Sequence, residues 1–252
     1  MKTLAILNQK GGVGKTTTAL ALWAGLTLQG KKVLAVDLDP QGNLSFTAAA
    51  DTSGRTAFGV LLKETAAADA IQHTTQGALI PSSPELAGAD MTITRTGKEY
   101  RLKEALEPVA GAYDYAVIDT PPALGILTVN ALAAADYAII PAMAEVFSLQ
   151  GVGQLADTIN PVRTYCNPSL EIAGILLTRY SPRTVLARDV ADMAEVLAEK
   201  LSTHVFRTRI RDGVAVREAQ MRQENLFTYA PKSGPALDYL AFLSELLPVV
   251  EG

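Results

Sequence analysis

"LNQKGGVGKTTTA", residues 7–19, decides the fold. It follows a short apolar run, "TLAILN" (3–8), and opens into "KTTTALALWAGLTLQG", whose apolar spacing predicts a helix over about 15–29. Three glycines between strand and helix let the backbone curl its N–H groups around phosphate oxygens, a path side chains would obstruct. The helix start beyond adds its positive dipole end. Lys15 is then placed to reach the β and γ phosphates and the Thr16 hydroxyl to ligate Mg²⁺, which makes Gly11, Gly12, Val13, Gly14, Lys15, Thr16 and Thr17 the candidate nucleotide contacts. Where such a loop normally begins with glycine stands Gln9, and a second lysine, Lys10, follows.

Outward from this loop the chain alternates short Val/Ile/Leu-rich runs with segments of helical period. Strands are expected at 3–8, 32–39, 77–82, 113–120, 136–142, 171–180 and 204–211, and helices near 15–29, 98–107, 148–165, 184–201 and 235–247. The alanine-rich "ETAAADAIQ" (64–72) also reads as helix. Continuous βα alternation predicts an α/β fold of the P-loop NTPase kind, a mostly parallel twisted sheet with helices on both faces. With no linker or repeat to divide it, 1–252 is expected to be a single domain.

Ligands in open α/β sheets bind at the carboxyl edge of the strands. "VDLDPQGNLS" (36–45) lies at that edge and brings Asp37 and Asp39 near the phosphates, Asp37 as support for the Mg²⁺ shell. "YAVIDTPP" (115–122) is an apolar strand ending in a carboxylate, the form of a Walker B element; Asp119 is expected to hold Mg²⁺ through its water. The metal set is thus Thr16, Asp37 and Asp119, and the reaction is hydrolysis of the β–γ bond by positioning and charge neutralisation. His73 and His204 are read as structural, and Cys166 as inert.

"KGGVGKTT" resembles the deviant Walker A motif of the ParA/MinD family of dimerising ATPases. The resemblance implies that Lys10 reaches across a nucleotide-sandwiched homodimer to the partner's phosphates, and that Asp39 positions the attacking water; Lys10, Lys15 and Asp39 form the expected catalytic set. "RTVLARDV" (183–190), "EAQ" (218–220), "YAPKS" (229–233) and "DYL" (238–240) are similar to segments of ParA/Soj-type partition ATPases. Many relatives have "PRN" after the late strand, whereas this chain has Arg211, Asp212 and Gly213. The resemblance implies an ATP-bound dimer on nucleoid DNA, released when a ParB-like adaptor stimulates hydrolysis.

Charge is asymmetric in a way that suits this. The net charge is −4, yet residues 179–232 hold 10 Lys and Arg against 7 Asp and Glu, so a nucleic-acid surface must be local. Arg183, Arg188, Arg209, Arg211, Arg217 and Arg222 are the candidate contacts to non-specific double-stranded DNA, which a basic patch grips through its phosphates. Because the chain begins at the first strand, a preceding helix-turn-helix and sequence-specific repression are not expected. A MinD-type membrane ATPase is the alternative, but "ALDYLAFLSELLPVV" (236–250) carries Asp238 and Glu245 and no basic residue, which anionic lipid would repel. A positioner of another cargo would use the same chemistry. One cysteine excludes a cluster of four thiolates shared by two subunits. With no internal disulfide possible and no signal segment, a cytoplasmic location is expected, and the resemblance implies association with the nucleoid.

Overall fold

Alternate residues of the central strands point into two different cores. In β1 (Lys2–Ile6), Leu4 and Ile6 join one apolar cluster and Ala5 the other; in β2 (Val33–Asp37), Val33 and Ala35 face the first and Leu34 and Val36 the second. Strands buried on both faces need apolar residues at every position, which is why they read as continuous runs. The computed structural model describes residues 1–143, 146–181 and 185–252, without the side chains of 146–154 and 185–189.

The remaining strands are β3 (Gln72–Thr74), β4 (Gly77–Ile80), β5 (Tyr115–Asp119), β6 (Tyr137–Met143) and β7 (Glu171–Thr178). The described residues form one seven-stranded sheet in the order β3-β4-β2-β5-β1-β6-β7, parallel except for β3 against β4. Helices are α1 (Lys15–Leu28), α2 (Asn43–Thr47), α3 (Ala57–Leu62), α4 (Ala67–Ala70), α5 (Ala89–Thr92), α6 (Arg101–Leu106), α7 (Ile126–Ala134), α8 (Val146–Tyr165), α9 (Val185–Lys200), α10 (Val214–Met221), α11 (Leu226–Tyr229) and α12 (Gly234–Glu251). Trp23 and Leu26 of α1 pack with Phe242, Leu243 and Leu246 of α12 on one face; α3, α6 and α7 supply Leu61, Leu102 and Leu132 to the other.

Two expectations change. Residues 204–211 do not form a ladder strand: isolated bridges, Ile175–Val205 and Tyr180–Arg211, and a bond from the Ile210 amide to the Leu177 carbonyl connect them to β7 and its extension. Glu245 of α12 accepts from the amides of Arg207 (2.7 Å) and Thr208 (2.9 Å), so those donors are turned to a helix instead of a neighbouring strand. The alanine-rich stretch yields only the four-residue α4, because Gln72 already belongs to β3. That hairpin closes at Gly77, whose φ of 132° and whose contact with Trp23 admit only glycine; a Cβ there would sit 2.8 Å from the indole nitrogen.

Strand order assembles the site. β5 lies between β1 and β2, with Asp119 in register with Ile6 on one side and Asp37 on the other. The loop leaving β1, the carboxylate ending β5 and the carboxylates at and after the end of β2 therefore converge at one sheet edge.

Candidate nucleotide site

The loop from Asn8 to Gly14 is shaped by its neighbours. Asn8 donates to the Pro141 carbonyl at 2.7 Å and accepts from the Lys10 amide at 3.0 Å; the Thr178 hydroxyl donates to the Val13 carbonyl at 2.8 Å. Thr120 donates to the Ile6 carbonyl at 2.8 Å, tying β5 to β1 just beneath. Gly12 and Gly14 have φ of 77° and 88°, and a Cβ on Gly11 or Gly12 would meet nothing within 4 Å. The loop is thus an open cradle, and Gly14 leads directly into α1, whose Thr18 amide bonds back to its carbonyl at 2.9 Å.

Lys15 is buried at the floor, its ammonium donating to the Lys10 carbonyl at 3.3 Å. Burial lowers its pKa, against the pull of Asp119 and Asp39, so the lysine is held beside two carboxylates. Asp119 is fully buried, and apart from the Thr16 hydroxyl beside it neither carboxylate oxygen has a donor. Its pKa is pushed well above the usual range by burial and by repulsion from Asp37; the Thr16 hydroxyl beside it and Lys15 offset part of this. Asp37 differs. Its Oδ2 accepts from the Ser45 amide (2.9 Å) and hydroxyl (2.7 Å) and its Oδ1 from the Asp39 amide (3.1 Å); burial nonetheless raises its pKa to about 6.

Asp39 is carried on a pinned turn. Its side chain accepts from the Gln41 amide at 3.0 Å, while its carbonyl accepts from the Ser82 hydroxyl at 2.5 Å. The Ser82 amide in turn donates to the Ser45 hydroxyl at 2.9 Å. Ser45 and Ser82 were not legible as site residues in the sequence; the signal was a serine just past the end of β4, the strand beside β2.

These elements enclose a cavity of about 660 Å³ lined by Gly11, Gly12, Lys15, Thr16, Asp39 and Pro122 among others. A second, of about 170 Å³, adjoins it between Thr178, Arg179 and Ile210–Gly213. The pieces fit a nucleotide with a divalent cation: two buried carboxylate oxygens have no donor but the Thr16 hydroxyl, and an open cradle of amides and an ammonium lies beside them. Among the described residues no three His, Cys, Asp or Glu side chains are grouped to hold a bare metal ion. A Mg²⁺ here would be held through Thr16, phosphate oxygens and water, with Asp119 behind the water.

The four candidate DNA arginines whose side chains are described, Arg209, Arg211, Arg217 and Arg222, each face a different neighbour. Arg183 lies outside the described residues, as does the side chain of Arg188 in α9. Arg211 is spent on Asp238, meeting both carboxylate oxygens at 2.7 and 2.8 Å, a fork that leaves little of the guanidinium for another anion. Arg209 lies over the Tyr180 ring, 4.5 Å from its centroid, and Arg222 over Tyr229 at 5.6 Å. Arg217 lines both cavities of the site instead. His73 and His204 are exposed, His204 edge-on to Phe206. Cys166 follows α8, away from either cavity.

A glycine loop joining the first strand of a parallel sheet to a helix, with an acidic strand end beside it, defines a P-loop NTPase. The sequence family described as an AAA domain matches residues 1–172. The chain is 40% identical to the sporulation initiation inhibitor protein Soj of Bacillus subtilis over 97% of its own length and 98% of Soj. It is 39% identical to the chromosome partitioning protein ParA of Caulobacter vibrioides, over 98% and 94% of the two chains. A solved structure from Mycobacterium smegmatis, described as cobyrinic acid a,c-diamide synthase with bound ATP analogue and magnesium, is 38% identical with a TM-score of 0.85, covering 98% of this chain and 94% of that one. The chain belongs to the ParA/MinD family of P-loop ATPases, on its ParA/Soj side.

Proposed function

We propose that the chain, acting as one unit over 1–252, is an ATP-dependent switch for partitioning DNA or another cargo. It binds Mg·ATP, forms a homodimer, grips double-stranded DNA without reading sequence, and lets go when a ParB-like adaptor stimulates hydrolysis; the expected location is the nucleoid. The observation that carries the reading is Asp119, buried with no donor but the Thr16 hydroxyl beneath an open glycine loop that bears two lysines.

In this reading Lys15, Thr16 and the amides of Gly11–Thr17 hold the triphosphate and Asp119 the metal's water, while Mg²⁺ supplies charge neutralisation at the β–γ bridge. Asp39 orients the attacking water, its carboxylate steadied by the Gln41 amide. Asp37, whose oxygens are taken by Ser45 and the Asp39 amide, supports this shell from behind. Lys10, half-buried in the loop, adds a second cation that lowers the repulsion between two nucleotide-loaded faces. Arg209 and Arg222, each laid on a tyrosine ring and without a carboxylate partner among the described residues, are the described candidates we assign to DNA phosphates; Arg183 and Arg188 remain candidates from sequence.

Membrane attachment through the last helix is disfavoured by packing. Tyr239, Phe242, Leu243 and Leu246 of α12 are buried against α1, so the face an amphipathic anchor would insert is already used. Amide transfer with glutamine-derived nitrogen would call for a nucleophilic thiol, and Cys166 lies away from both cavities. Sedimentation with non-specific duplex and with anionic liposomes, each with ATP, ADP or no nucleotide, tests the proposal. ATP-dependent pelleting with DNA is expected; pelleting with liposomes alone would overturn it.

A further inference from the structure

The two cavities share five lining residues: Gly12, Gly14, Thr17, Arg217 and Gln220. The first three belong to the cradle and the start of α1. The last two lie three residues apart on α10, on one helical face, and Gln220 is docked there, its amide donating to the Thr17 hydroxyl at 3.3 Å. This junction is where a nucleotide changes character. With the phosphates in the cradle and the base in the smaller cavity, the shared walls face the ribose and the α-phosphate.

We propose that Arg217 is a nucleotide ligand that grips the ribose–α-phosphate segment, and not part of a DNA-binding patch. The inference rests on the nucleotide reading of the site. Arg217 is half-exposed, and its ion pair with Asp212 is loose, with Nη1 3.6 Å from Oδ1. The same Asp212 oxygen also faces Arg179 at 3.5 Å, so one carboxylate oxygen is divided between two guanidinium groups. An α-phosphate offers Arg217 an undivided acceptor in planar, two-pronged geometry, the arrangement in which arginine binds anions most strongly. Contrast Arg211, two residues from the same loop yet locked in a full fork with Asp238. Both arginines belong to one basic run in the sequence and both line the smaller cavity, but the Arg211 guanidinium is taken by Asp238, whereas Arg217 lines both cavities with only a loose pair to Asp212.

The test is titration of the full chain with fluorescent ATP and ADP analogues, comparing wild type, Arg217→Ala and Arg217→Lys, with Arg55→Ala as the control for loss of a remote surface arginine. Retention on non-specific duplex is then measured at saturating nucleotide. Loss of one charge-assisted contact weakens binding roughly tenfold or more. Arg217→Ala is expected to weaken ATP and ADP alike by that factor, Arg217→Lys to recover part of it, and Arg55→Ala to change nothing; DNA retention at saturating nucleotide stays at the wild-type level. Unchanged nucleotide affinity overturns the proposal, as does weakening of ATP alone, which would place the side chain at the γ-phosphate. Reduced DNA retention with intact nucleotide binding returns Arg217 to the DNA surface. If the wild type binds neither nucleotide, the function proposed above fails first.

Discussion

Replacing Asp119 by asparagine separates what the residue does for the fold from what it does for the ligand, and the two effects have opposite signs. In the free protein the carboxylate is buried, with no donor but the Thr16 hydroxyl, and lies beside Asp37. A buried polar group left unsatisfied costs about 1–3 kcal/mol and more when charged, so an asparagine, whose amide is equally short of partners, removes the charge's share alone. Taking about 2 kcal/mol as relieved by the neutral isostere, and a shift of roughly 2–4 °C per kcal/mol for a chain of this size, Asp119→Asn raises the melting temperature of the nucleotide-free protein by about 4–8 °C at pH 7.5. The gain has a pH signature. Because the folded pKa is raised from 3.8, the stability linked to this group is full below that value and is lost as pH rises through the folded one. The variant's advantage therefore shrinks on acidification and vanishes near pH 4. Adding Mg²⁺ and nucleotide reverses the order: wild type gains the stabilisation that ligand binding confers, and the variant gains much less. Thermal melts at pH 7.5 and 4.5, with and without Mg·ATP, supply all the comparisons. A variant less stable than wild type at pH 7.5 without ligand would refute the reasoning, since the carboxylate would then be satisfied in the native state.

Asp39→Ala is expected to leave nucleotide binding intact while slowing hydrolysis about 100-fold, the scale for losing a positioned base or orienting group; size-exclusion chromatography with ATP should show a persistent dimer, and a monomeric variant contradicts it. Gly174→Ala places a Cβ 2.5 Å from the Phe206 ring at a φ of 153°, so both overpacking and backbone strain apply, and about 3 kcal/mol or more of stability should be lost in denaturant melts. Reversing Arg209 and Arg222 to glutamate should weaken retention on unrelated duplexes equally and flatten its salt dependence. Arg211→Ala, by contrast, should leave retention unchanged while lowering thermal stability, because that guanidinium is held by Asp238.

The meeting of the loop and the acidic strand ends was legible because spacing and strand context fix it: Gly11 to Thr17, Asp37, Asp39 and Asp119 all lie at one edge. Less was legible where a partner distant in sequence decides. The α7 segment "ILTVNALAA" carries no clear amphipathic period because it is buried nearly all round, and its start is held by Asp90, 36 residues upstream, accepting from the Ile126 amide at 2.8 Å. β3 is three residues long and exists only as the edge of a hairpin. Residues 204–211 have strand composition, but Glu245 and Asp238 of α12 take amides a ladder would need. Charge counting grouped the arginines correctly along the chain and could not tell Arg211, Arg217 and Arg222 apart, since each faces a different neighbour.

The three side chains that lash the sheet's carboxyl edge, Asn8 to Pro141, Thr120 to Ile6 and Thr178 to Val13, have a consequence for anyone who would move this site elsewhere. Two fasten one strand end to the next and the third fastens β7 to the loop itself, so the curvature that the glycines permit is held in place by β5, β6 and β7. Grafted into another sheet without those ties, residues 9–17 would keep their composition and lose their grip.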